Sequence, residues 1–422
     1  MIDELLYLIS FYYLLGNINN FSYYTTNLVK KQERKKESEK LYCDSYDPSF
    51  ISVLIPAYDE ADVIGRTIDN FMKIDYPRDE YEVVIATYES DYKTRDVVES
   101  RTKIYPNLRE VVNPKKPPTT KAQNLNHAYQ FIDNKTEIVG FHDAEDVVPN
   151  DILRNANCLL KNGFDAIQFK VLPENRGKSL TERSYALTFS KYYNFILPAK
   201  ERLGRLITSA GVGTYLKKNV IDEIRELDGY LFDEGNLTED LELSIRLAER
   251  GYKIKYVNIS PTREKFPSYF SRAVRQRSRW ALGGIQTLEK HGLGKKLDFN
   301  EKLGLMFDYL GLGTSSWGLA VGIGIASIVG GVTNYLPQII TEGSPLWYLS
   351  IINTIGALEE ILITPYYSSK EYGGGIKEYI KDLPAVFVND AINFVAVSMA
   401  ISKYIRSKLR KEAFKWGKTV RN

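Results

Sequence analysis

The sequence predicts an α/β domain built on a mostly parallel sheet, followed by apolar C-terminal helices that cross a membrane or lie on it. Short apolar segments alternate with helical patterns between residues 50 and 300. Such alternation is typical of a parallel sheet covered by helices on both faces. Long segments with few charges follow residue 303, and about 20 apolar residues suffice to cross a bilayer.

The composition is that of a folded protein and excludes several classes. The chain has 422 residues, 26% of them charged, and a net charge of +3. This charge is too small to indicate a nucleic-acid partner, and we expect none. Cys43 and Cys158 lie far apart and at no metal-ligand spacing, so we expect neither a disulfide framework nor a zinc finger. The three histidines exclude a His-rich metal site.

Residues 1–45 are predicted to be an interfacial or packed helix and a charged linker. The segment MIDELLYLISFYYLLG has a short apolar run, with Asp3 and Glu4 where a signal peptide carries positive charge. We therefore expect no secretory signal peptide, and a marginal membrane span is the alternative. The linker is KKQERKKESEK, residues 30–40.

Residues 46–300 form the predicted α/β domain. The strands are FISVLIPA, YEVVIAT, EIVGFHD and DAIQFKV. The helices are EADVIGRTIDNFMKI and residues 121–132 and 149–161, where apolar side chains recur three and four positions apart. Because ligands of such sheets bind at the carboxyl ends of the strands, polar residues at these ends are candidate site residues.

Two polar clusters directly follow strands. PAYDE, residues 56–60, leads into a helix and on its own indicates only a turn and a helix cap. HDAED, residues 142–146, has three carboxylates in four positions, and their repulsion favours a neutralising cation or basic partner. Alternate acids on an extended segment can direct two oxygens at one divalent ion. A solvated turn leading to Pro149 is the alternative.

A third cluster, TEDLELS, begins a helix at residue 238. Thr238 is the predicted N-cap, and Glu239 and Asp240 in the first turn suit the helix dipole. The dipole lowers the pKa of a carboxyl group, so a general base here requires burial or neighbouring carboxylates to raise its pKa again. These residues alone leave capping and catalysis both open.

QRSRW, residues 276–280, lies in a helical segment, where Gln276, Arg279 and Trp280 share one face. An amide, a guanidinium group and an aromatic ring suit a diphosphate and a sugar. A basic amphipathic helix on lipid headgroups is the alternative, and both can hold. In the segment before it, Tyr185, Tyr192, Tyr193 and Phe195 could stack on sugars, but we expect core packing.

In this order, IPAYDE, HDAED, TED and QRSRW, followed by membrane segments, resemble the membrane-bound family 2 glycosyltransferases related to cellulose and hyaluronan synthases, in particular the phage adsorption protein B-like enzymes. The resemblance covers about residues 50–290 and includes TSAGVGT and PTREKFP. It implies a GT-A fold. It also implies an inverting, metal-dependent transfer of a sugar from a nucleoside-diphosphate sugar to a glycan or a lipid-linked acceptor.

The resemblance also implies residue roles. Asp240 is the general base with Glu239 beside it, and Asp143 and Glu145 hold a divalent cation, Mg²⁺ or Mn²⁺. The residues implied to bind donor or acceptor are Pro56, Tyr58, Glu60, Asp91, Lys121, Asp143, Gln276, Arg279 and Trp280. Glu145 departs from the usual second Asp of the metal pair. Ala86-Thr87 departs from an acid that often helps to hold the nucleobase, so UDP is a default donor nucleotide.

The alternative from another class is a catalytically silent, membrane-bound nucleotide-sugar sensor or scaffold. It requires loss of the base or of the metal pair, yet Asp240, Asp143 and Glu145 are all present. Among enzymes, QRSRW favours a processive polysaccharide synthase. The small, polar-interrupted membrane part favours transfer of one sugar to a lipid carrier.

Residues 301–405 contain three candidate membrane helices. Tyr309–Val332 is nearly uncharged, Pro345–Tyr367 contains two glutamates, and Leu383–Ile405 is the weakest because Asn389, Asp390 and Asn393 interrupt it. Buried soluble helices are the alternative for all three.

Lysines in the predicted loop 368–382 place that loop and the catalytic domain in the cytoplasm, and the basic tail, residues 406–422, should also be cytoplasmic. Three simple membrane spans cannot place both the catalytic domain and the tail in the cytoplasm. Either the third segment lies in the interface or folds back, or the N-terminal segment changes the count.

Overall fold

The computed structural model describes residues 2–29, 47–116, 119–174, 176–177, 179–308 and 343–410. Within these residues, seven strands form one sheet in the order β3-β2-β1-β4-β6-β5-β7. The strands are β1 (Ile51–Pro56), β2 (Tyr81–Tyr88), β3 (Leu108–Asn113), β4 (Ile138–Phe141), β5 (Ala166–Pro173), β6 (Thr214–Lys217) and β7 (Ile254–Glu264).

Helices connect and cover these strands. They are α1 (Ile2–Val29), α2 (Ile64–Phe71), α3 (Tyr92–Thr102), α4 (Lys121–Tyr129), α5 (Ile152–Lys161), α6 (Leu180–Lys191), α7 (Leu197–Arg202), α8 (Lys218–Asp228), α9 (Glu239–Glu249), α10 (Phe270–His291), α11 (Pro345–Glu371) and α12 (Gly375–Arg410). A short π-helix, Tyr192–Ile196, joins α6 to α7.

The sheet is mostly parallel, as predicted. β1 pairs in parallel with β2 and β4, so that Ile51 lies opposite both Tyr81 and Ile138. Only β6 among the seven strands runs antiparallel to its neighbours, β4 and β5. The carboxyl ends of β1, β4 and β7 therefore lie at one edge of the sheet.

Two apolar cores cover the two faces of the sheet. On one face, β1 and β2 side chains pack against α2, α3 and α5, including Ile64, Ile68 and Ile152. On the other face, α4, α8 and α9 pack through residues such as Leu125 and Ile221. All residues of β2 are buried, as expected for a strand covered on both sides. Cys158 on α5 is disulfide-bonded, a cross-link that its isolated position in the sequence did not indicate.

The predicted N-terminal helix is present as α1, and it packs against α11. Asn17 Nδ2 donates a hydrogen bond to Asn353 Oδ1 at 2.9 Å. Within the described residues, α11 and α12 are the helices that are long and apolar enough to cross a membrane. The predicted span Tyr309–Val332, the linker 30–40 and residues 411–422 of the tail lie outside the described residues.

The predicted loop 368–382 is wrong, because α11 and α12 form a helical hairpin with only Tyr372–Gly374 between them. The polar residues that interrupt the third apolar segment include two that face the α/β domain. Asn389 and Asn393 on α12 accept hydrogen bonds from Arg277 Nη1 on α10 at 2.7 and 2.5 Å. One side of α12 is therefore bound to the domain by polar contacts, which a hydropathy pattern does not reveal.

Candidate active site

A cleft lies at the carboxyl edge of the sheet and encloses about 1060 Å³, including space continuous with solvent. Its lining contains all of the site residues expected from the sequence except Asp91. These are Pro56, Tyr58, Glu60, Lys121, Asp143, Glu145, Glu239, Asp240, Gln276, Arg279 and Trp280. The lining also contains Tyr88, Ala210, Val212 and Glu264, for which no role is predicted from the sequence.

The loop after β1 is held in shape by Asp91. Asp59 adopts a φ of 56°, a left-handed conformation that Asp tolerates better than most residues, and its backbone N–H donates to Asp91 Oδ2 at 2.5 Å. Asp91 also caps α3 by accepting from Thr94 N. Asp91 thus shapes the loop that presents Tyr58 and Glu60 and is not among the residues that line the cleft; its contact with the donor stays a prediction.

The acidic turn after β4 divides its carboxylates between the core and the cleft. His142 Nδ1 lies 2.8 Å from Asp146 Oδ2, and His142 Nε2 lies 2.9 Å from the Tyr215 hydroxyl. Burial lowers the pKa of His142 to about 3, so the imidazole stays neutral. Asp146 Oδ2 also accepts from Asp143 N at 3.1 Å. Asp146 thus turns inward, whereas Asp143 and Glu145 line the cleft.

A third carboxylate joins this pair from the end of β7. Val147 and Arg263 exchange two backbone hydrogen bonds of 2.8 Å, which brings the neighbouring Glu264 to the acidic turn. Ligand oxygens of Asp143, Glu145 and Glu264 all lie within 4.8 Å of one another. Three hard oxygen donors at this spacing suit Mg²⁺ or Mn²⁺.

Glu264 was not predicted from the sequence as a site residue, because its position beside the acidic turn depends on a pairing between segments more than 100 residues apart. Burial raises its pKa well above the ordinary value, and the carboxylates of Asp146 and Asp143 raise it further. Burial and the neighbouring carboxylates thus both disfavour the anion of Glu264, and a bound cation would stabilise it. The sequence signal was the acid at a strand's carboxyl end within PTREKFP.

Lys121 lies between the candidate cation site and the start of α9. It is the first residue of α4, whose start is fixed by a capping box between Thr120 and Gln123. Its Nζ lies 2.6 Å from Asp143 Oδ1 and donates to Gly211 O at 3.0 Å. Burial opposes its charge, but Asp143 and the acids of α9 more than offset this and raise its pKa. Lys121 therefore stays protonated.

Glu239 and Asp240 begin α9 inside the cleft. Thr238 occupies the N-cap position, as predicted, but its side chain makes no capping hydrogen bond and donates to Asn236 Oδ1 at 3.3 Å. Burial raises the pKa of Asp240, although Lys121 opposes the rise. Burial and then Asp240 raise the pKa of Glu239 to about 7. Burial therefore outweighs the helix dipole, which is the condition that a base at this position requires.

The loop before β6, residues 208–213, forms the wall beside Asp240. Gly211 has a φ of 74°, and a Cβ atom there would lie 2.9 Å from Asp240 Oδ2. The loop is fixed by Gln168 on β5, which accepts from Ala210 N at 2.8 Å, and by Ser244 on α9, which accepts from Ser209 N at 2.8 Å. No role for this loop is predicted from the sequence, although TSAGVGT carries two glycines in a short polar segment.

The predicted face of α10 closes the cleft. Gln276 is buried and its Oε1 accepts from the Tyr185 hydroxyl at 2.6 Å, while Arg279 Nη1 donates to Leu237 O at 3.0 Å. Trp280 is half-buried in the lining. In the preceding aromatic segment, Tyr185 is fully buried. The prediction of core packing is confirmed for Tyr185, Tyr193 and Phe195.

The comparisons with known proteins agree with this geometry. Residues 48–283 match the family described as glycosyltransferase like family 2. Bacteriophage adsorption protein B of Escherichia coli (strain K12) is 30% identical over 61% of this chain and 39% of its own length. Beta-monoglucosyldiacylglycerol synthase of Synechocystis is 24% identical over 65% of this chain and 63% of its own length. The chain thus spans less than two thirds of either relative.

A solved structure has the same overall fold. The mannosyltransferase PcManGT from Pyrobaculum calidifontis, in complex with GDP-Man and Mn²⁺, has a TM-score of 0.60 at 20% identity and covers 93% of this chain and 99% of its own. This likeness confirms the GT-A fold that the sequence motifs implied. Residues 48–283 make up more than half of the chain and include every residue that lines the cleft, and the chain therefore belongs to the family 2 glycosyltransferases.

Proposed function

We propose that the protein is an inverting, divalent-cation-dependent glycosyltransferase. It moves a sugar from a nucleoside-diphosphate sugar to a glycan or lipid-linked acceptor at the cytoplasmic face of a membrane. One observation supports this most strongly: Asp240, with its raised pKa, and the carboxylates Asp143, Glu145 and Glu264 line one cleft with Lys121 between them. A general base and a cation site are thus adjacent.

The charge of the cleft supports cation dependence. Among its lining residues, the carboxylates are Glu60, Asp143, Glu145, Glu239, Asp240 and Glu264, whereas the cationic side chains are Lys121 and Arg279. A donor diphosphate would meet net repulsion here unless a cation bound with it. Bound Mg²⁺ or Mn²⁺ would neutralise the charge that develops on the leaving diphosphate.

The donor end of the reaction would use the groups around this carboxylate triad. Lys121 Nζ, Arg279 and the amide of Gln276 offer N–H donors to the phosphate oxygens. They are already in place before the leaving group gains charge, which is the arrangement that stabilises a transition state. Pro56, Tyr58 and Glu60 would contact the nucleotide, with Tyr58 held edge-on to Tyr88 at 5.6 Å between ring centroids.

Asp240 acts as the general base in the transfer step. Its carboxylate accepts the proton of the acceptor hydroxyl as that oxygen attacks the anomeric carbon from the face opposite the diphosphate. The bond between the anomeric carbon and the phosphate oxygen breaks, and the nucleoside diphosphate leaves with the electron pair. One displacement inverts the configuration and needs no covalent intermediate. Glu239 beside Asp240 tunes the pKa of the pair, and Trp280 offers an aromatic face for the acceptor sugar.

The donor nucleotide is UDP by default. At the position where the family often has an acid, the end of β2 carries Ala86 and Thr87, and Thr87 Oγ1 donates to Glu110 Oε1 at 2.6 Å. These two residues thus offer no carboxylate to the nucleobase of the donor. A donor panel should include GDP-mannose as well as UDP sugars, since PcManGT is described with GDP-Man.

Membrane association is proposed from the C-terminal hairpin. Large apolar side chains on α11 and α12 are exposed, among them Ile355, Leu362, Phe387 and Ile405. An exposed apolar surface on two long helices suits lipid, and a membrane-embedded acceptor would then lie beside the cleft.

The test is nucleoside-diphosphate release by the purified full-length protein in detergent. Each UDP or GDP sugar is supplied with Mn²⁺ or Mg²⁺ and an extract of membrane lipids and glycans. We expect release with one donor, abolished by EDTA and restored by the cation, and a product of inverted configuration by NMR. Nucleotide binding without release from any donor would instead favour the sensor.

The cation site has its own test. Glu264→Gln replaces one candidate carboxylate ligand of the triad by a neutral amide and should weaken Mn²⁺ binding about tenfold or more, measured by calorimetry. The control is Glu137→Gln, at the opposite edge of the sheet, where the carboxylate accepts from Ser49 Oγ. Equal Mn²⁺ affinity in the two variants would show that Glu264 is not a ligand of the cation.

A further inference from the structure

Gln276 reaches the cleft from a buried position that fixes its amide. Its Oε1 accepts a hydrogen bond of 2.6 Å from the Tyr185 hydroxyl. A side-chain amide has one acceptor oxygen and one NH₂ group with two donors. Because Tyr185 occupies the oxygen, the NH₂ group is the part of the amide that is left to meet a ligand.

Tyr185 lies behind the cleft and is itself tightly held. It is fully buried, and its ring stacks on Phe266 at 4.7 Å with an interplanar angle of 23°. The guanidinium carbon of Arg277 lies 4.7 Å from the centre of the same ring. Burial raises the pKa of Tyr185 to about 12, although Arg277 opposes the rise. The hydroxyl therefore keeps its proton and remains a donor to Gln276.

Arg277 is held in turn by the C-terminal hairpin. Its Nη1 donates to Asn389 Oδ1 and Asn393 Oδ1 on α12. A continuous set of contacts thus runs from α12 through Arg277 and Tyr185 to the amide that lines the cleft.

We propose that Tyr185 is a positioning residue that holds the Gln276 amide with its NH₂ group toward the donor diphosphate. This rests on the donor-binding role proposed for Gln276. Phosphate oxygens only accept hydrogen bonds from such a group, so a rotated amide would present its carbonyl oxygen to an anion. Arg277 donates a hydrogen bond to the Tyr185 hydroxyl oxygen, so the hydroxyl presents its proton to Gln276 and favours the orientation in which the amide oxygen accepts it. Tyr185 does this without lining the cleft itself.

The test is a double-mutant cycle on binding of UDP and of GDP with Mn²⁺, measured by calorimetry on the full-length protein in detergent. This readout does not require turnover. Tyr185→Phe keeps the ring and its stacking and removes only the hydroxyl. We expect Tyr185→Phe and Gln276→Ala each to weaken binding about tenfold, and the double variant to bind no more weakly than Gln276→Ala alone.

A matched control separates positioning from loss of a buried hydroxyl. Tyr76 is buried and its hydroxyl donates to Ser49 O at 2.7 Å, away from the cleft lining. Tyr76→Phe should lower the melting temperature about as much as Tyr185→Phe but leave nucleotide affinity unchanged.

Three results would overturn the proposal. Additive losses in the double variant would show that Tyr185 acts independently of Gln276. Full affinity in Tyr185→Phe with reduced affinity in Gln276→Ala would show that Gln276 binds the donor but that Tyr185 does not position it. Full affinity in both single variants would show that Gln276 does not bind the donor, which is the role on which the proposal rests. If the wild-type protein transfers no sugar but the two substitutions are still non-additive in nucleotide binding, only the proposed function is contradicted.

Discussion

Replacing Gly211 by alanine tests whether Asp240 must be placed accurately beside the loop that forms its wall. The new Cβ would lie 2.9 Å from Asp240 Oδ2 and 3.3 Å from Lys121 Nζ. An ordinary contact begins at 3.4 Å, so the carboxylate or the loop must move by about 0.5 Å, where a shift of about 1 Å can reduce a rate about 100-fold. We therefore expect a loss in kcat of about 10-fold or more.

The substitution also carries a backbone cost that a control can isolate. Gly211 has a φ of 74°, and alanine in this region costs about 1–2 kcal/mol. Gly229 has a φ of 82°, and a Cβ there would meet nothing within 4 Å. Gly229→Ala should therefore lose similar stability and keep its kcat.

The assay is nucleoside-diphosphate release at saturating donor, together with thermal unfolding of both variants. The expected pattern is a similar fall in melting temperature in both and a fall in kcat only in Gly211→Ala. Wild-type kcat in Gly211→Ala, or an equal loss in Gly229→Ala, would refute the reasoning that the loop positions the base.

Three further outcomes are expected. Nucleotide release should increase as the pH rises above the ordinary pKa of an aspartate, because burial raises the pKa of Asp240 and a base must lose its proton before it can act; a release rate that does not change between about pH 5 and 8 would contradict this. Gly283→Ala places a Cβ 2.7 Å from the backbone N of Thr238, so the melting temperature and kcat should both fall. Alanine usually stabilises a helix by about 1 kcal/mol over glycine, so a higher melting temperature would refute the predicted clash. Replacing Asn389 and Asn393 together by leucine removes two acceptors of the buried Arg277. The loss should be about 3 kcal/mol in unfolding free energy, and an unchanged melting curve would show that these contacts do not hold α12.

The sequence predicted the parts of the site that lie within single motifs. HDAED, TED and QRSRW each place their residues by strand ends or by helix spacing, and Asp143, Asp240 and Arg279 all line the cleft. Local spacing determines these positions, because neighbouring residues on one element keep their relation whatever the rest of the chain does.

The missed residues depend on contacts between distant segments. Glu264 reaches the acidic turn through the pairing of Val147 with Arg263, and Gly211 matters because α9 passes next to its loop. Tyr185 was assigned correctly to the core, but its bond to Gln276 requires α6 and α10 to pack together. No period or motif in the sequence reports such packing.

The surroundings of Asp91 and of residues 368–382 also depend on contacts between distant segments. Asp91 supports the loop after β1 through a backbone hydrogen bond, which residue type alone does not distinguish from a ligand contact. The segment 368–382 is mostly helical, and Asp382 within it is fully buried between Arg176 and Arg183, at 2.7 Å from each. Its charged residues indicated a solvated loop, whereas several of these charges are paired with the catalytic domain.

The measurement that tests the central claim most directly is donor turnover and donor binding in Asp240→Asn. The amide keeps the size of the side chain and cannot accept the proton of the acceptor hydroxyl. The account predicts that nucleotide release falls by about 100- to 10,000-fold, while the affinity for the donor with Mn²⁺ stays within about twofold of wild type. Release at the wild-type rate in Asp240→Asn would contradict the assignment of Asp240 as the general base.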